Sequence, residues 1–391
     1  MGGNLKLAAG VGTSAAADTI EAGREAAEGA VAALQGALPA LIIVFTTPRY
    51  DLPKLLTTIR SVTGPALLVG ATGSGEMACG QYFGFGAGVG VLAMTAGPYR
   101  FGAASVAHIR GNLDNAGKQI TRESKAAVGE SPHATVLLLV DSLAGDLQQL
   151  IQGVYRIAGP RVPIVGGAAG DEQKFVRTFV FHDENVIEEG AVALWIGSPH
   201  PLKVVTGHGW QPIGVPLLVT RAEGTEIIEL GGRPAATVYE EQLGIVPGQL
   251  TRENFWGTSI LHPLGLLQHD GSSVIRVARS KSQENRLRIQ GCVPPAGSAI
   301  QVMSGSAETL LGVIEGIAQS TLDAQTSPAV LLAFSCAARA TILGQRTIEE
   351  TRRLQEAAGA VPTFGIYCCG EFARSAGVLA THNATLTTIA L

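Results

Sequence analysis

The sequence predicts an α/β protein of repeated strand-helix-strand units, with mixed parallel and antiparallel sheets. Three observations carry that expectation: short apolar runs, helices of recurring apolar spacing, and glycine-rich loops that each close on an acid. Continuously apolar runs suit strands covered on both faces, as in parallel βαβ units. At 391 residues the chain is longer than one core usually grows, so two domains are expected, 1–225 and 226–391. No low-complexity linker marks the boundary, so the two parts should share an interface.

The first unit opens with Ala40-Leu-Ile-Ile-Val-Phe45 and the polar stretch Thr46-Thr47-Pro48-Arg49. A helix with Leu52, Leu55, Leu56, Ile59 and Val62 on one face follows, then Pro65-Ala-Leu-Leu-Val69 and the loop Gly70-Ala-Thr-Gly-Ser-Gly75-Glu76. The second unit repeats this: Thr135 to Val140, Asp141-Ser142, a helix with Leu147, Leu150, Ile151, Val154 and Ile157, then Val162 to Val165 and Gly166 to Asp171. Counted from the first helical leucine, Asp171 stands at the same offset as Glu76. A third copy runs from Val330-Leu-Leu-Ala-Phe334 through Ser335-Cys336 and a helix near 348–358 to Gly365-Ile-Tyr-Cys-Cys-Gly370-Glu371. Between the copies, alternation near 176–182, 190–197, 217–230 and 274–279 predicts antiparallel strands, and helices are expected near 15–34, 234–243 and 306–324.

Composition excludes several function classes. The apolar fraction of 46%, 15% charged residues and net charge of −4 argue against disorder and against a nucleic-acid partner. No run of about 18 apolar residues and no signal-peptide pattern is present, so the expected setting is cytoplasmic, with no membrane partner. Five scattered cysteines read as reduced thiols rather than a disulfide framework.

Parallel units bring their loops to the carboxyl ends of neighbouring strands, where open α/β sheets bind ligands. Thr46, Arg49, Gly75, Glu76, Asp141, Asp171, Cys336, Cys369, Gly370 and Glu371 are therefore candidates to border one cleft. Glycines let backbone N–H groups approach a ligand, and a closing carboxylate accepts hydrogen bonds from an amine, which suits a small polar or zwitterionic molecule. The competing reading is structural: tight turns need glycine, and an acid after them often caps a segment. No Walker A loop or dinucleotide fingerprint occurs, which disfavours ATP and NAD. A thiol-dependent enzyme using Cys336 or Cys369 is an alternative, and a non-enzyme the preferred reading. Any of His182, His208 and His262 could ligate a noncovalent haem, with His208 ranked slightly above His182, although a lone histidine is more often a surface or hydrogen-bonded residue.

Taken in order, Val69 to Glu76, Gly166 to Asp171 with Lys174-Phe175, Gly209-Trp210 to Gly214, Val219 to Gly224 and Gly231 to Pro234 resemble the FIST (F-box and intracellular signal transduction) family. Phe334 to Arg339, Gly365 to Glu371 and His382-Asn383 resemble its C-terminal domain. The resemblance covers nearly the whole chain. It implies FIST N and FIST C domains, a sensory role, and small ligands such as amino acids, and it adds Arg339 and Asn383 to the candidate ligand residues. Free-standing bacterial members are described as haem-binding nitric-oxide sensors acting on partner histidine kinases. The resemblance thus implies haem b as a cofactor and a kinase partner, with no output domain in the chain itself.

Overall fold

The computed structural model describes residues 7–86, 88–374 and 381–391. Its organising feature is a unit that occurs three times. The first copy comprises Ala9–Ser14 (β1), Thr19–Ala32 (α1), Leu41–Thr46 (β2), Leu52–Thr63 (α2), Leu67–Thr72 (β3), the hairpin Glu76–Ala78 and Gln81–Phe83 (β4, β5), and Val89–Met94 (β6). The second comprises Arg100–Val106 (β7), Leu113–Val128 (α3), His133–Asp141 (β8), Leu147–Ala158 (α4), Ile164–Ala169 (β9), the hairpin Phe179–His182 and Asn185–Glu188 (β10, β11), and Ala191–Ser198 (β12).

The third copy starts at Val204–Gly207 (β13) and is interrupted by an insertion, residues 211–304. The insertion holds eight strands (β14 to β21) and the helices Ala235–Gln242 (α5) and Arg252–Ser259 (α6). It resumes with Ala307–Leu311 (α7), Ile314–Leu322 (α8), Leu331–Cys336 (β22), Ala337–Leu343 (α9), Thr347–Ala358 (α10) and Thr363–Cys368 (β23). The hairpin Glu371–Arg374 and Thr381–His382 (β24, β25) and Leu386–Ala390 (β26) complete it.

Each copy builds the first four strands of a six-stranded sheet, in the orders β1-β6-β2-β3, β7-β12-β8-β9 and β13-β26-β22-β23. The central pairs β2/β3, β8/β9 and β22/β23 are parallel, as the apolar runs and intervening helices require. The hairpin of each copy leaves its own sheet. β4–β5 extends the sheet of the third copy, β24–β25 that of the second and β10–β11 that of the first, so the exchange is cyclic. Leu41, Ile43, Leu137, Leu139, Leu332 and Ile366, drawn from all three sheets, share one central core, where Phe45 stacks on Phe364 at 5.2 Å. Helices cover the outer faces, with α1 and α2 on the first sheet and α3 and α4 on the second.

Gly70, Gly166 and Gly365 occupy the same place in the three copies. A Cβ there would lie 2.1, 2.0 and 2.1 Å from the carbonyl oxygens of Val44, Leu138 and Ala333, so only glycine lets each strand pass its parallel neighbour. The expected helices near 15–34, 234–243 and 306–324 are found, the last broken into α7 and α8. Among the described residues no helix is long and apolar enough to cross a membrane.

Candidate functional site

The three glycine-rich loops meet at one pole of the central core, and backbone hydrogen bonds tie them into a ring. The N–H of Gly170 donates to Thr72 O (2.8 Å), that of Ser74 to Tyr367 O (2.8 Å) and that of Cys369 to Ala168 O (2.9 Å). Donors and acceptors occupy equivalent positions once Gly70, Gly166 and Gly365 are aligned, so the ring repeats the threefold order of the sheets.

That alignment corrects one expectation. Six residues after each glycine stand Glu76, Glu172 and Glu371, while Asp171 coincides with Gly75 and Gly370. The second copy has one residue more between helix and glycine, so an offset counted from the helix slips by one. Gly75 and Gly370 have φ of +125° and +130°, a conformation in which a side chain is strained. Asp171 instead closes a local turn, accepting the N–H groups of Phe175, Val176 and Arg177 at 2.8, 2.6 and 3.0 Å. Glu172, Gln173 and Phe175 in that turn have φ near +60°.

The three sectors of the ring differ chemically. In the second, Asp141 is buried and fully committed: it accepts from the N–H groups of Leu143 and Glu189 (both 2.7 Å) and from Thr178 Oγ1 (2.6 Å).

In the third, Glu371 accepts from Thr385 N–H (3.1 Å) and Oγ1 (2.7 Å), and the Cys368 thiol donates to it at 3.4 Å. Burial outweighs those bonds and raises its carboxyl to about 8. Burial, and then the Glu371 charge, pushes the Cys336 and Cys368 thiols well up; burial followed by Asp171 and Glu371 takes Cys369 to about 12. A narrow cavity of about 30 Å³, room for one water, lies between Cys336, Cys369, Asn383, Phe175 and Trp256. Asn383 Oδ1 also accepts the Val277 N–H at 3.4 Å.

The first sector is left open. Glu76 is fully buried, and neither carboxyl oxygen has a hydrogen-bond partner among the described residues. Thr47 Oγ1 and Ser74 Oγ, both buried, are likewise unpartnered, while Ser142 Oγ lies against the Cys369 thiol. Burial first, and then the Glu172 charge, raises the Glu76 carboxyl well above the ordinary range; its own backbone N–H and then Arg49 oppose this without offsetting it. The Arg49 guanidinium is already spent on Ala15 O, Ala16 O, Gly86 O and the Tyr50 hydroxyl. Glu172 accepts the Gly86 N–H and pairs with Lys174 at 2.6 Å. A protein ordinarily leaves few buried polar atoms unsatisfied, so a cluster of them at a loop junction marks a place for water or ligand.

The fold thus gathers Thr46, Arg49, Gly75, Glu76, Asp141, Asp171, Cys336, Cys369, Gly370, Glu371 and Asn383 around the three loop tips, with different roles. Thr46 donates to Gly88 O at 3.1 Å and holds the strand end. Arg339 is fully buried in an ion pair with Glu350 (2.7 Å) and donates to His208 O and Leu310 O, a structural post. Sequence reasoning missed Ser74, Glu172, Phe175 and Trp256. Only Ser74 carried a signal, through its register with Cys369.

The histidines lie elsewhere. His208 Nδ1 accepts the Trp210 N–H at 2.9 Å and its ring also bonds the Ser273 backbone, while His182 Nδ1 lies 2.9 Å from Ser105 Oγ. Among the described residues no three His, Cys, Asp or Glu side chains converge to hold a metal ion.

Two family signatures together span most of the chain: the FIST N domain matches residues 40–233 and the FIST C domain residues 235–374. The chain belongs to the FIST family. FIST domains are sensory domains implicated in small-ligand binding. Similar proteins include an uncharacterized protein of Mycobacterium tuberculosis, 27% identical over 96% of this chain and 97% of its own length. An uncharacterized protein of Methanocaldococcus jannaschii is 29% identical over 32% of this chain and 26% of its own. Among solved structures, the cyanuric acid hydrolase of A. caulinodans aligns over 98% of this chain and 99% of its own at 11% identity, with a TM-score of 0.35.

Proposed function

We propose that this FIST protein is a small-ligand sensor whose ligand seats at the loop junction against Glu76, Thr47 and Ser74. The observation that carries the reading is the fully buried Glu76 carboxyl, both oxygens unpartnered among the described residues, with the unpartnered hydroxyls of Thr47 and Ser74 at the ends of the same two neighbouring strands. Leaving such groups unsatisfied costs about 1–3 kcal/mol each, and a ligand that donates hydrogen bonds recovers part of that. A compact polar molecule bearing an amine or amide N–H meets the need; a phosphate does not, since it would face two carboxyl groups, Glu76 and Glu172. Binding here would shift the population of the 171–177 turn, whose Glu172 acts on Glu76 and whose Phe175 walls the neighbouring cavity.

The test is a thermal-shift screen of amino acids, amines and amides, followed by calorimetry. A compound that stabilises the protein, and whose affinity falls at least tenfold in Glu76→Gln, supports the proposal. If every stabilising compound binds Glu76→Gln as well as the wild type, the site is wrong.

Haem fits less well. Ligation by His208 would break its bonds to the Trp210 and Ser273 backbone, and the cavity of about 30 Å³ beside the thiols has no room for a porphyrin. The geometry singles out neither a nitric-oxide response nor a histidine kinase partner, and neither enters the proposal. A cysteine nucleophile is disfavoured because burial holds the Cys336 and Cys369 thiols protonated.

A further inference from the structure

The opposite pole of the second copy carries a different feature. A groove of about 930 Å³ runs between the C-terminal ends of α3 and α4, floored by Trp195 and edged by Pro132, Pro160 and Pro201. Arg122, Lys125 and Arg161 line it, exposed, with His133 beside them and Glu130 the one acid. Elsewhere most arginines are paired: Arg60, Arg110, Arg156, Arg177, Arg233, Arg286, Arg339 and Arg346 each meet a carboxylate. None of the three groove cations has a carboxylate partner among the described residues; Lys125 only overlies the Trp195 ring, at 5.6 Å.

The simplest account is that cations gather there to offset the negative ends of two helix dipoles. The threefold repeat tests that account within the molecule. The equivalent helix ends of α1, α8 and α10 have no basic residue in the last turn, and the one in α2, Arg60, is paired with Asp183. The last-turn Arg156 of α4 is itself held by Asp114. The helix ends of this fold therefore do not require such cations, and three unpaired ones around a concave surface, in a chain of net charge −4, need another reason.

We propose that this groove docks an acidic, extended segment of a partner protein. Carboxylates spaced along a peptide match cations spread around the rim, and proline-stiffened edges hold the groove open in advance. The helix ends present carbonyl oxygens, which accept from a peptide's N–H groups but repel phosphate, so a compact phosphate is the poorer occupant.

Fluorescence anisotropy of a labelled hexaglutamate peptide against the full chain tests this. The expected result is binding that weakens steeply as salt rises from about 50 to 300 mM. The Arg122→Glu, Lys125→Glu, Arg161→Glu triple variant should lose at least tenfold in affinity. The Arg24→Glu, Lys54→Glu variant, which alters exposed cations on α1 and α2, should change it less than twofold. If circular dichroism shows the triple variant misfolded, Arg161→Gln alone should still weaken binding at least threefold. Equal losses in both charge-reversal variants, absence of salt-sensitive binding, or full displacement of the peptide by equimolar inorganic phosphate would each overturn the proposal.

Discussion

Replacing Glu371 with glutamine should flatten the pH dependence of stability on the alkaline side. The Glu371 carboxyl is fully buried and titrates near 8 in the folded chain, against an ordinary value of 4.5. Between those values the folded state keeps a proton that the unfolded state has released, so stability falls as pH rises through this window. The upper limit is a loss of about 5 kcal/mol between pH 4.5 and 8, from a shift of about 3.5 pH units at ~1.4 kcal/mol each. Glutamine keeps an oxygen to accept from Thr385 and has no proton to lose. Glu76 shifts in the same direction, so the informative quantity is the difference between wild type and variant, not either slope alone. Urea denaturation at pH 5, 6, 7 and 8 measures it. The variant should gain on the wild type by several kcal/mol between pH 5 and 8; parallel profiles would refute the placement of an uncharged Glu371 beside the Cys368 thiol.

Three further outcomes are expected. Burial, aided by Arg276, holds His382 at about 4 instead of 6.5, so the folded imidazole stays neutral where the unfolded one charges; stability should fall as pH drops from 6.5 to 4, by up to about 3 kcal/mol, and His382→Gln should show a smaller loss in the same denaturation series. Gly166→Ala places a methyl 2.0 Å from Leu138 O, so it should lower the melting temperature by more than 10 °C or abolish soluble expression, and a wild-type melt would show that β9 can move aside. In native protein a thiol reagent should label exposed Cys79 first and half-buried Cys369 more slowly, with Cys336 and Cys368 reacting only after denaturation; fast native labelling that survives the Cys79→Ser, Cys369→Ser double variant would contradict the burial of those two thiols.

The parallel pairs and their helices were legible because each is local: Leu41 to Thr46, α2 and Leu67 to Thr72 lie within one stretch whose apolar spacing reports both strands and helix. The convergence of the loop tips follows from that topology. The exchange of hairpins was not legible, because Glu76 to Ala78 is a three-residue strand whose partner lies far along the chain. Nor was the division of labour among the acids. Glu76, Asp171 and Glu371 read alike as loop-closing carboxylates, yet one is orphaned, one is saturated by three N–H groups and one is set against thiols. Asp171 and Glu371 take their partners from their own copies, through a local turn and through Thr385 and Cys368, while Glu76 faces Glu172 of the second copy; none of these contacts shows in the loop motif itself. Arg339 shows the same limit: a candidate ligand residue by resemblance, it turns inward from α9 to pair with Glu350 on α10.

The cyclic hairpin exchange also governs when the site comes into being during synthesis. Glu76 lies opposite Ile366, so the strand that receives β4 leaves the ribosome about 290 residues after β4 itself. At ~5–20 residues per second that is roughly 15 to 60 s, during which β4 and β5 have no sheet to join. The second copy's sheet likewise waits for β24, and β26, at the very end, fills the gap between β13 and β22. A nascent chain stopped short of β23 holds every residue of the Glu76 sector but lacks the strand that β4 pairs with, so this loop-tip pole closes late.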